Sequence, residues 1–279
     1  MKEVDMTLIR IDETRCKKDG LCVQECPAGI IKQADRESVP LMIPRGAQAC
    51  LLCGHCVAVC PHDALHHETI PMERSPKIAE DLAISQAQAA QFLRTRRSIR
   101  RFKNKPVDRE TVQFLIDHAR YAPTGGNSQL VTWTVHMGTE KLKNISDLTI
   151  AWMKAALASE AGSALPPYFP MIVAAYDAGI NSITQNAPCL VIASAPGKYD
   201  NGMVDLSIAL SYFELMATAG GLGTCWLGLI ARALKHSKPL MAAIGLPEGH
   251  SHFYPMVLGY PKFKYHRLPE RKPAKIFWK

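Results

Sequence analysis

Seven of the chain's nine cysteines lie within its first 60 residues, at Cys16, Cys22, Cys26, Cys50, Cys53, Cys56 and Cys60, while Cys189 and Cys225 stand alone in the remainder. Thiols at that density require either cross-links or metal. Residues Met1 to Asp5 include two acidic side chains and no apolar run, so they do not read as a secretory signal, and a reducing cytoplasm is the expected compartment. That reading favours metal. Cys16, Gly20, Cys22, Val23, Cys26 and Pro27 recur 34 residues later as Cys50, Gly54, Cys56, Val57, Cys60 and Pro61. The unit is duplicated, and each copy is too short to fold on apolar burial alone.

Three closely spaced thiolates, Cys50, Cys53 and Cys56, suit three corners of an iron-sulfur cube, and Pro61 after Cys60 keeps the chain from closing over it. Tetrahedral zinc, the alternative, wants two Cys-x2-Cys pairs set apart by a longer spacer. Residues 10–66 resemble a bacterial two-cluster ferredoxin, in which the fourth cysteine of each run crosses to the other cluster. The resemblance implies a small β-α-β-α-β domain whose two 4Fe-4S clusters pass single electrons. By the same resemblance, Cys26, Cys50, Cys53 and Cys56 hold one cluster. Cys16, Cys22 and Cys60 hold the other, with Asp19, which occupies the slot of Cys53, as candidate fourth ligand. Asp19 reads alternatively as a turn residue before Gly20, and a cluster with a carboxylate corner could be of 4Fe-4S or 3Fe-4S type.

The net charge of +8 invites a nucleic-acid reading until it is divided along the chain. Residues 1–80 carry a net −2 and residues 81–279 a net +10, with basic side chains concentrated between Arg94 and Arg109 and between Lys262 and Lys279. Two basic segments in one domain suit an anionic ligand held from both ends, and equally suit two solvated faces. Thiolate clusters and a phosphate-bearing cofactor would neutralise much of the excess, which removes the main support for DNA binding. The longest uncharged stretch, Leu215 to Ala231, is broken by glycines and shorter than a bilayer span, so it reads as core.

Prolines at 71 and 76 mark an aperiodic linker, giving domains over 1–70 and 85–279 with 71–84 between them. In the larger part, helices are expected over Ser85–Thr95, from an N-cap at Asp108 with Val112, Leu115, Ile116 and Ala119 as its apolar face, and over Lys141–Ala161 with Leu148, Trp152, Ala155 and Ala156 on one side. Further helices are expected over Asp205–Ala219 and Lys238–Ile244, and strands over Leu130–Met137, Cys189–Ser194, Trp226–Ile230 and Tyr254–Gly259. Leu165–Pro170, with three prolines, reads as irregular, and the stretch to Ala187 as a long loop. Gly220, Gly221 and Gly223 close a helix before a strand, the reverse of a dinucleotide fingerprint, so no nicotinamide domain is expected.

Arg96 to Phe102 (Arg-Arg-Ser-Ile-Arg-Arg-Phe), Ala122 to Gln129 (Ala-Pro-Thr-Gly-Gly-Asn-Ser-Gln), Ala187-Pro188, Gly221 to Gly228 and Gly259 to Pro261 follow one another over about 190 residues. In that order they resemble the nitroreductase family of FMN enzymes. The resemblance implies an α+β domain with a central mixed sheet flanked by helices, and a flavin site built across a homodimer. It places Arg96, Arg97 and Ser98 on the FMN phosphate and ribityl chain, Arg271 closing the phosphate site, and Arg100 near the flavin N1 and O2 atoms. Leu227 and Gly228 would offer backbone amides toward N5 and O4, and Pro123, Thr124 and Asn127 would come from the second subunit. A solvated turn is the alternative for Arg97 to Arg101. Cys189 and Cys225 read as buried thiols, His66 and His67 have no visible partners, and Tyr168, Phe169, Trp133 and Trp152 suit either a substrate pocket or the core.

The whole resembles ferredoxin-nitroreductase fusion proteins of anaerobic bacteria and archaea. The expected function is an iron-sulfur flavoprotein oxidoreductase that takes electrons from a donor protein such as ferredoxin and gives them to a small conjugated acceptor such as a nitroaromatic or quinone. No acid-base triad is required. A non-catalytic electron relay or redox sensor with protein partners is the rival.

Overall fold

In the computed structural model, residues 8–159 and 165–279 are described. They divide into two units: residues up to Ala83 together with Gly126–Ser128, and Ile84–Gly125 together with Gln129–Lys279.

The first unit runs β1 (Ile9–Ile11), α1 (Leu21–Glu25), β2 (Ile31–Lys32), β3 (Leu41–Met42), α2 (Gly46–Ala49), α3 (His55–Ala58) and β4 (Leu65–His67). β1 pairs antiparallel with β4, and β2 with β3. The sequence repeat is visible as structure. Gly20 and Gly54 stand at the start of α1 and α3 with φ of 71° and 72°, a left-handed turn that glycine enters without steric cost. Each turn sends the following cysteine, Cys22 or Cys56, into the core beside Ile9, Ile30, Ile31, Val57 and Leu65.

The second unit is built on a four-stranded sheet of β5 (Thr132–Met137), β6 (Cys189–Pro196), β7 (Gly223–Trp226) and β8 (His250–Gly259) in the order β5-β6-β8-β7. All three pairings are antiparallel, and a parallel contact comes from the isolated Ser98–Thr224 bridge at the β7 edge. β6 is buried along nearly its whole length because both faces are covered. Leu190 and Ile192 face a core shared with α6 (Thr139–Leu157), α7 (Phe169–Asp177), α9 (Gly228–Leu234) and α10 (Lys238–Ile244). Cys189, Val191 and Ala193 face the opposite core with α5 (Arg109–Ala119) and α8 (Gly202–Ala219).

Local signals place several helices. Ser85 and Gln88 form a capping box on α4 (Gln86–Thr95), the Asp108 carboxylate accepts from Thr111 N at 2.6 Å, and Ser237 caps α10. α8 stops at Ala219, and Gly223 packs so closely on Ile99 that a Cβ there would strike it. Among the described residues no helix is long and apolar enough to cross a membrane.

Two expectations need correction, and a third needs refinement. The expected loop before Ala187 contains α7, because Pro170 falls in its first turn, where an amide hydrogen has no partner to lose. The strand expected over Trp226–Ile230 is instead β7 ending at Trp226 and α9 beginning at Gly228. On α6 the deepest residues are Leu142, Ile145, Ser146, Thr149, Ile150 and Met153, with Leu148 and Trp152 of the expected row partly buried against the same core and Ala155 exposed. Ser146 and Thr149 can be buried there because their hydroxyls donate to Leu142 O and Ile145 O one turn back. The end of that expected helix, Glu160 and Ala161, lies outside the described residues.

The placement of α7 predicts a contrast in stability. Phe169→Ala should cost about 3–5 kcal/mol because a fully buried ring leaves a cavity. Met171→Ala, on the exposed side, should cost within about 0.5 kcal/mol. Guanidinium denaturation followed by circular dichroism measures both, and equal losses would contradict this burial.

Candidate functional site

In the first unit the seven clustered cysteines fall into two neighbourhoods. Cys26, Cys50, Cys53 and Cys56 line one largely apolar pocket with Ile9, Ile30, Ile31 and His67. Burial pushes the Cys56 thiol up to about 11, and Cys26, Cys50 and Cys53 push the same way. The second neighbourhood surrounds Cys22, which burial also raises to about 11, with Cys60, Cys16 and Asp19 adding to the rise. Thiolates so placed repel one another and are desolvated, an arrangement that a bound cation centre relieves. Backbone amides already point at the sulfurs: Leu52 N donates to Cys50 Sγ and Ala64 N to Cys60 Sγ, both at 3.4 Å.

Asp19 breaks the repeat. Its Oδ1 accepts from Leu21 N at 3.2 Å, and its Oδ2 lies 3.3 Å from His62 Nε2, so the carboxylate serves the turn into α1 while standing beside Cys22. His67, without a visible partner in the sequence, is buried, and its Nε2 lies 3.7 Å from Cys50 Sγ. Burial lowers its pKa, against a smaller opposing pull from Glu68. The 34-residue repeat contains no signal for this contact, because the matching position is Gln33.

In the second unit Arg94, Arg96, Arg97 and Arg271 line a single cleft with Leu93, Leu268 and Pro269. Arg97 spends Nη1 on the carbonyls of Arg94 and Arg96, at 2.8 and 2.7 Å, whereas its Nε is buried with no hydrogen-bond partner. An orphaned guanidinium N–H is costly, and an anion in the cleft would satisfy it. Arg96 is partly committed elsewhere, since its Nη1 donates at 3.1 Å to the buried carboxylate of Glu214. Glu214 also accepts from Thr224 Oγ1 and Trp226 Nε1.

The other expected residues are spread around this centre. Ser98 bridges to Thr224, and the exposed Arg100 lies near Cys225. Burial raises the Cys225 thiol, and Arg100 and Arg96 oppose the rise. Cys189 is pushed up to about 12 by burial alone, which keeps it a protonated core thiol. Leu227 departs from expectation, because its amide donates to Pro255 O at 3.0 Å and is not available to a ligand. Gly228 opens α9, where first-turn amides lack intrahelical partners.

Pro123, Thr124 and Asn127 do not line the arginine cleft. Thr124 Oγ1 accepts from Gln129 N, and Asn127 adopts a left-handed φ of 55°. Their loop is anchored through Gly125, whose N–H reaches both Asp205 oxygens at 3.2 Å while its carbonyl accepts from Tyr199 Oη. Trp133 and Phe169 pack in the core, Trp152 stacks on His236, and Tyr168 is exposed.

Residues 93–260 match the family model described as the nitroreductase family, and residues 14–65 match that of the 4Fe-4S dicluster domain. A protein of Archaeoglobus fulgidus, assigned as an NADH dehydrogenase/NAD(P)H nitroreductase, is 29% identical over 168 residues, covering 60% of this chain and 82% of that protein. An FMN-bound nitroreductase of Bacteroides fragilis superposes with a TM-score of 0.54 at 21% identity over 67% of this chain and 95% of its own. An FMN-bound nitroreductase of Desulfitobacterium hafniense does so with 0.54 at 22% identity, over 68% and 96%. These two structures speak to the fold. The family match over more than half its length shows that the chain belongs to the nitroreductase family, an oxidoreductase carrying a 4Fe-4S dicluster domain ahead of its nitroreductase domain.

Proposed function

We propose that this protein is an iron-sulfur flavoprotein that takes single electrons into two clusters in its first unit, passes them to FMN in its second, and reduces a small conjugated acceptor such as a nitroaromatic or quinone. The observation that carries the flavin half is the cleft of four arginines around a buried guanidinium N–H without a partner. That donor set suits a phosphate monoester, because guanidinium forks match its oxygens. FMN when bound supplies two-electron storage, and iron-sulfur clusters supply one-electron carriage.

The residues divide the labour. Arg97 and Arg271 hold the phosphate. Arg96, tied to Glu214, fixes the wall of the cleft and adds positive charge. Ser98 offers a hydroxyl toward the ribityl chain, and Arg100 provides a cation for the electron-rich end of the reduced ring. Gly228 contributes an amide and leaves room above it, since a Cβ there would meet Tyr254 Oη at 3.3 Å. Pro123, Thr124 and Asn127 act from a second subunit. Support for that subunit comes from the carboxyl-terminal segment, which has no regular structure and leaves Ile276, Phe277 and Trp278 exposed at 59, 87 and 90%. Apolar side chains presented together in this way suit cover by another copy of the chain.

In the first unit Cys26, Cys50, Cys53 and Cys56 hold one cluster, for which the shared pocket is the support. Cys16, Cys22 and Cys60 hold the other with Asp19 at the fourth corner. Asp19 must leave Leu21 N or His62 to reach iron. A carboxylate is also a harder ligand than a thiolate, so this corner is the weak one.

Anaerobic stopped-flow mixing with NADH, NADPH or reduced ferredoxin, followed by a nitroaromatic, tests the reading as a whole. Flavin reduction by one of these donors and turnover of the acceptor are expected, and absence of acceptor turnover would favour the relay. Arg97→Glu should lower bound flavin at least tenfold, read by absorbance of the purified protein, with iron content unchanged. Full flavin occupancy would refute the phosphate assignment. Cys53→Ser should slow ferredoxin-dependent flavin reduction at least tenfold while dithionite still reduces the flavin; an unchanged rate would mean the clusters serve another purpose. In air the Asp19 cluster should lose one iron and give the resonance of an oxidised 3Fe-4S centre, and Asp19→Cys should suppress it. Identical decay in both proteins would leave Asp19 as a turn residue only.

A further inference from the structure

The pocket shared by Cys26, Cys50, Cys53 and Cys56 also receives the imidazole of His67, the last residue of β4. The ring cannot drift. Its residue is 3% exposed, its backbone is paired with Ile9 across β1, and its Nδ1 lies 3.3 Å from Thr69 N and 3.1 Å from Thr69 Oγ1. A backbone amide can only donate, so Nδ1 is the acceptor and the proton of the neutral ring sits on Nε2. That proton faces Cys50 Sγ at 3.7 Å, a distance suited to an N–H···S bond to a large, soft acceptor. Cys50 therefore receives two donors, His67 Nε2 and Leu52 N.

The internal repeat supplies a comparison within the same molecule. Thirty-four residues before His67 stands Gln33, as Ile31 stands before the equally buried Leu65. Gln33 Nε2 donates to Lys18 O at 3.0 Å and to Ser38 O at 2.9 Å, so both of its amide hydrogens go to backbone carbonyls. The two halves match in glycine turn, buried cysteine and buried aliphatic, and differ in this donor.

We infer that His67 is a positioning residue that donates a hydrogen bond to the Cys50 ligand and raises the reduction potential of the Cys26/Cys50/Cys53/Cys56 cluster. This rests on the proposal that those four cysteines hold a cluster. Reduction adds one electron to a cluster whose charge is partly carried by its thiolate sulfurs, and a donor aimed at one of them stabilises the more negative state. The cluster beside Gln33 lacks this side-chain donor. His67 thus holds the two potentials further apart than the repeat alone would, and makes the Cys50 cluster the better place for an electron to rest.

The test is an EPR-monitored redox titration of the full-length, anaerobically prepared protein and of His67→Phe, which keeps an apolar ring but removes the donor. One of the two steps should fall by about tenfold in its reduction equilibrium, about 59 mV for one electron, while the other stays in place. Intact clusters with both steps unmoved, or both moved equally, would overturn the assignment. Should His67→Phe lose the cluster, His55→Gln protein, which keeps His67 but not the other imidazole lining the pocket, decides after labelling with 15N-histidine: pulsed EPR of the reduced cluster should detect a histidine nitrogen, and its absence would overturn the inference. Iron and sulfide counts on the unmodified protein separate this outcome from failure of the cluster reading, which would show as protein without clusters.

Discussion

The buried carboxylate of Glu214 organises the arginine cleft of the nitroreductase domain. Glu214 lies inside α8, where an uncompensated charge would cost several kcal/mol. Three donors from two segments answer it: Arg96 at the end of α4, and Thr224 and Trp226 on β7. The requirement works outward. To reach Glu214, the segment after α4 must run along the edge of the sheet, where Ser98 bridges to Thr224 and Ile99 N donates to Thr224 O. Arg97 is then carried into the cleft with Arg94 and Arg271, its Nε desolvated and still lacking a partner. One arginine is spent on structure so that the next is held ready for an anion.

The first unit follows a different rule. It is small, and two of its core side chains are the cysteines Cys22 and Cys56, so its interior is built in part from thiols. Duplication explains why the two halves look alike: a left-handed glycine places each buried cysteine, and Ile31 and Leu65 close the core beneath them. Two of the differences between the copies change the groups beside the thiols. Asp19 replaces a thiol, and His67 replaces an amide whose hydrogens are otherwise occupied. Both changes fall beside a thiol neighbourhood, so the two halves of the repeat present their thiols to different surroundings.

Much of this was legible in the residues themselves, and the reason is locality. Caps at Ser85, Asp108 and Ser237 act within one turn, so short sequence patterns locate α4, α5 and α10. The glycines after Ala219 end α8 for the same reason, with Gly221 at a φ of 74°. The cysteine run and the arginine run announce metal and anion chemistry through residue type and spacing. Local rules failed where two of them competed. Three prolines between Leu165 and Pro170 outweigh the helical composition of the residues after them, although a proline in the first turn breaks nothing. On α6, the apolar pattern does not single out Ser146 and Thr149, yet a hydroxyl bonded to the preceding turn can be buried.

What the sequence by itself determined, then, is which chemistries the chain carries and in what order: seven clustered thiols in a duplicated frame, then a basic segment and a run of motifs that mark a nitroreductase domain. Only the tertiary structure decided which of those groups face one another. Arg271 reaches Arg97 across 174 positions of chain, Glu214 ties Arg96 Nη1 to the wall of the cleft, Pro255 takes the Leu227 amide, and β4 turns His67 toward Cys50. Each is a contact between distant segments, fixed by how sheets and helices bury their apolar faces. No pattern of neighbours encodes them, because the free energy that selects them belongs to the packed whole.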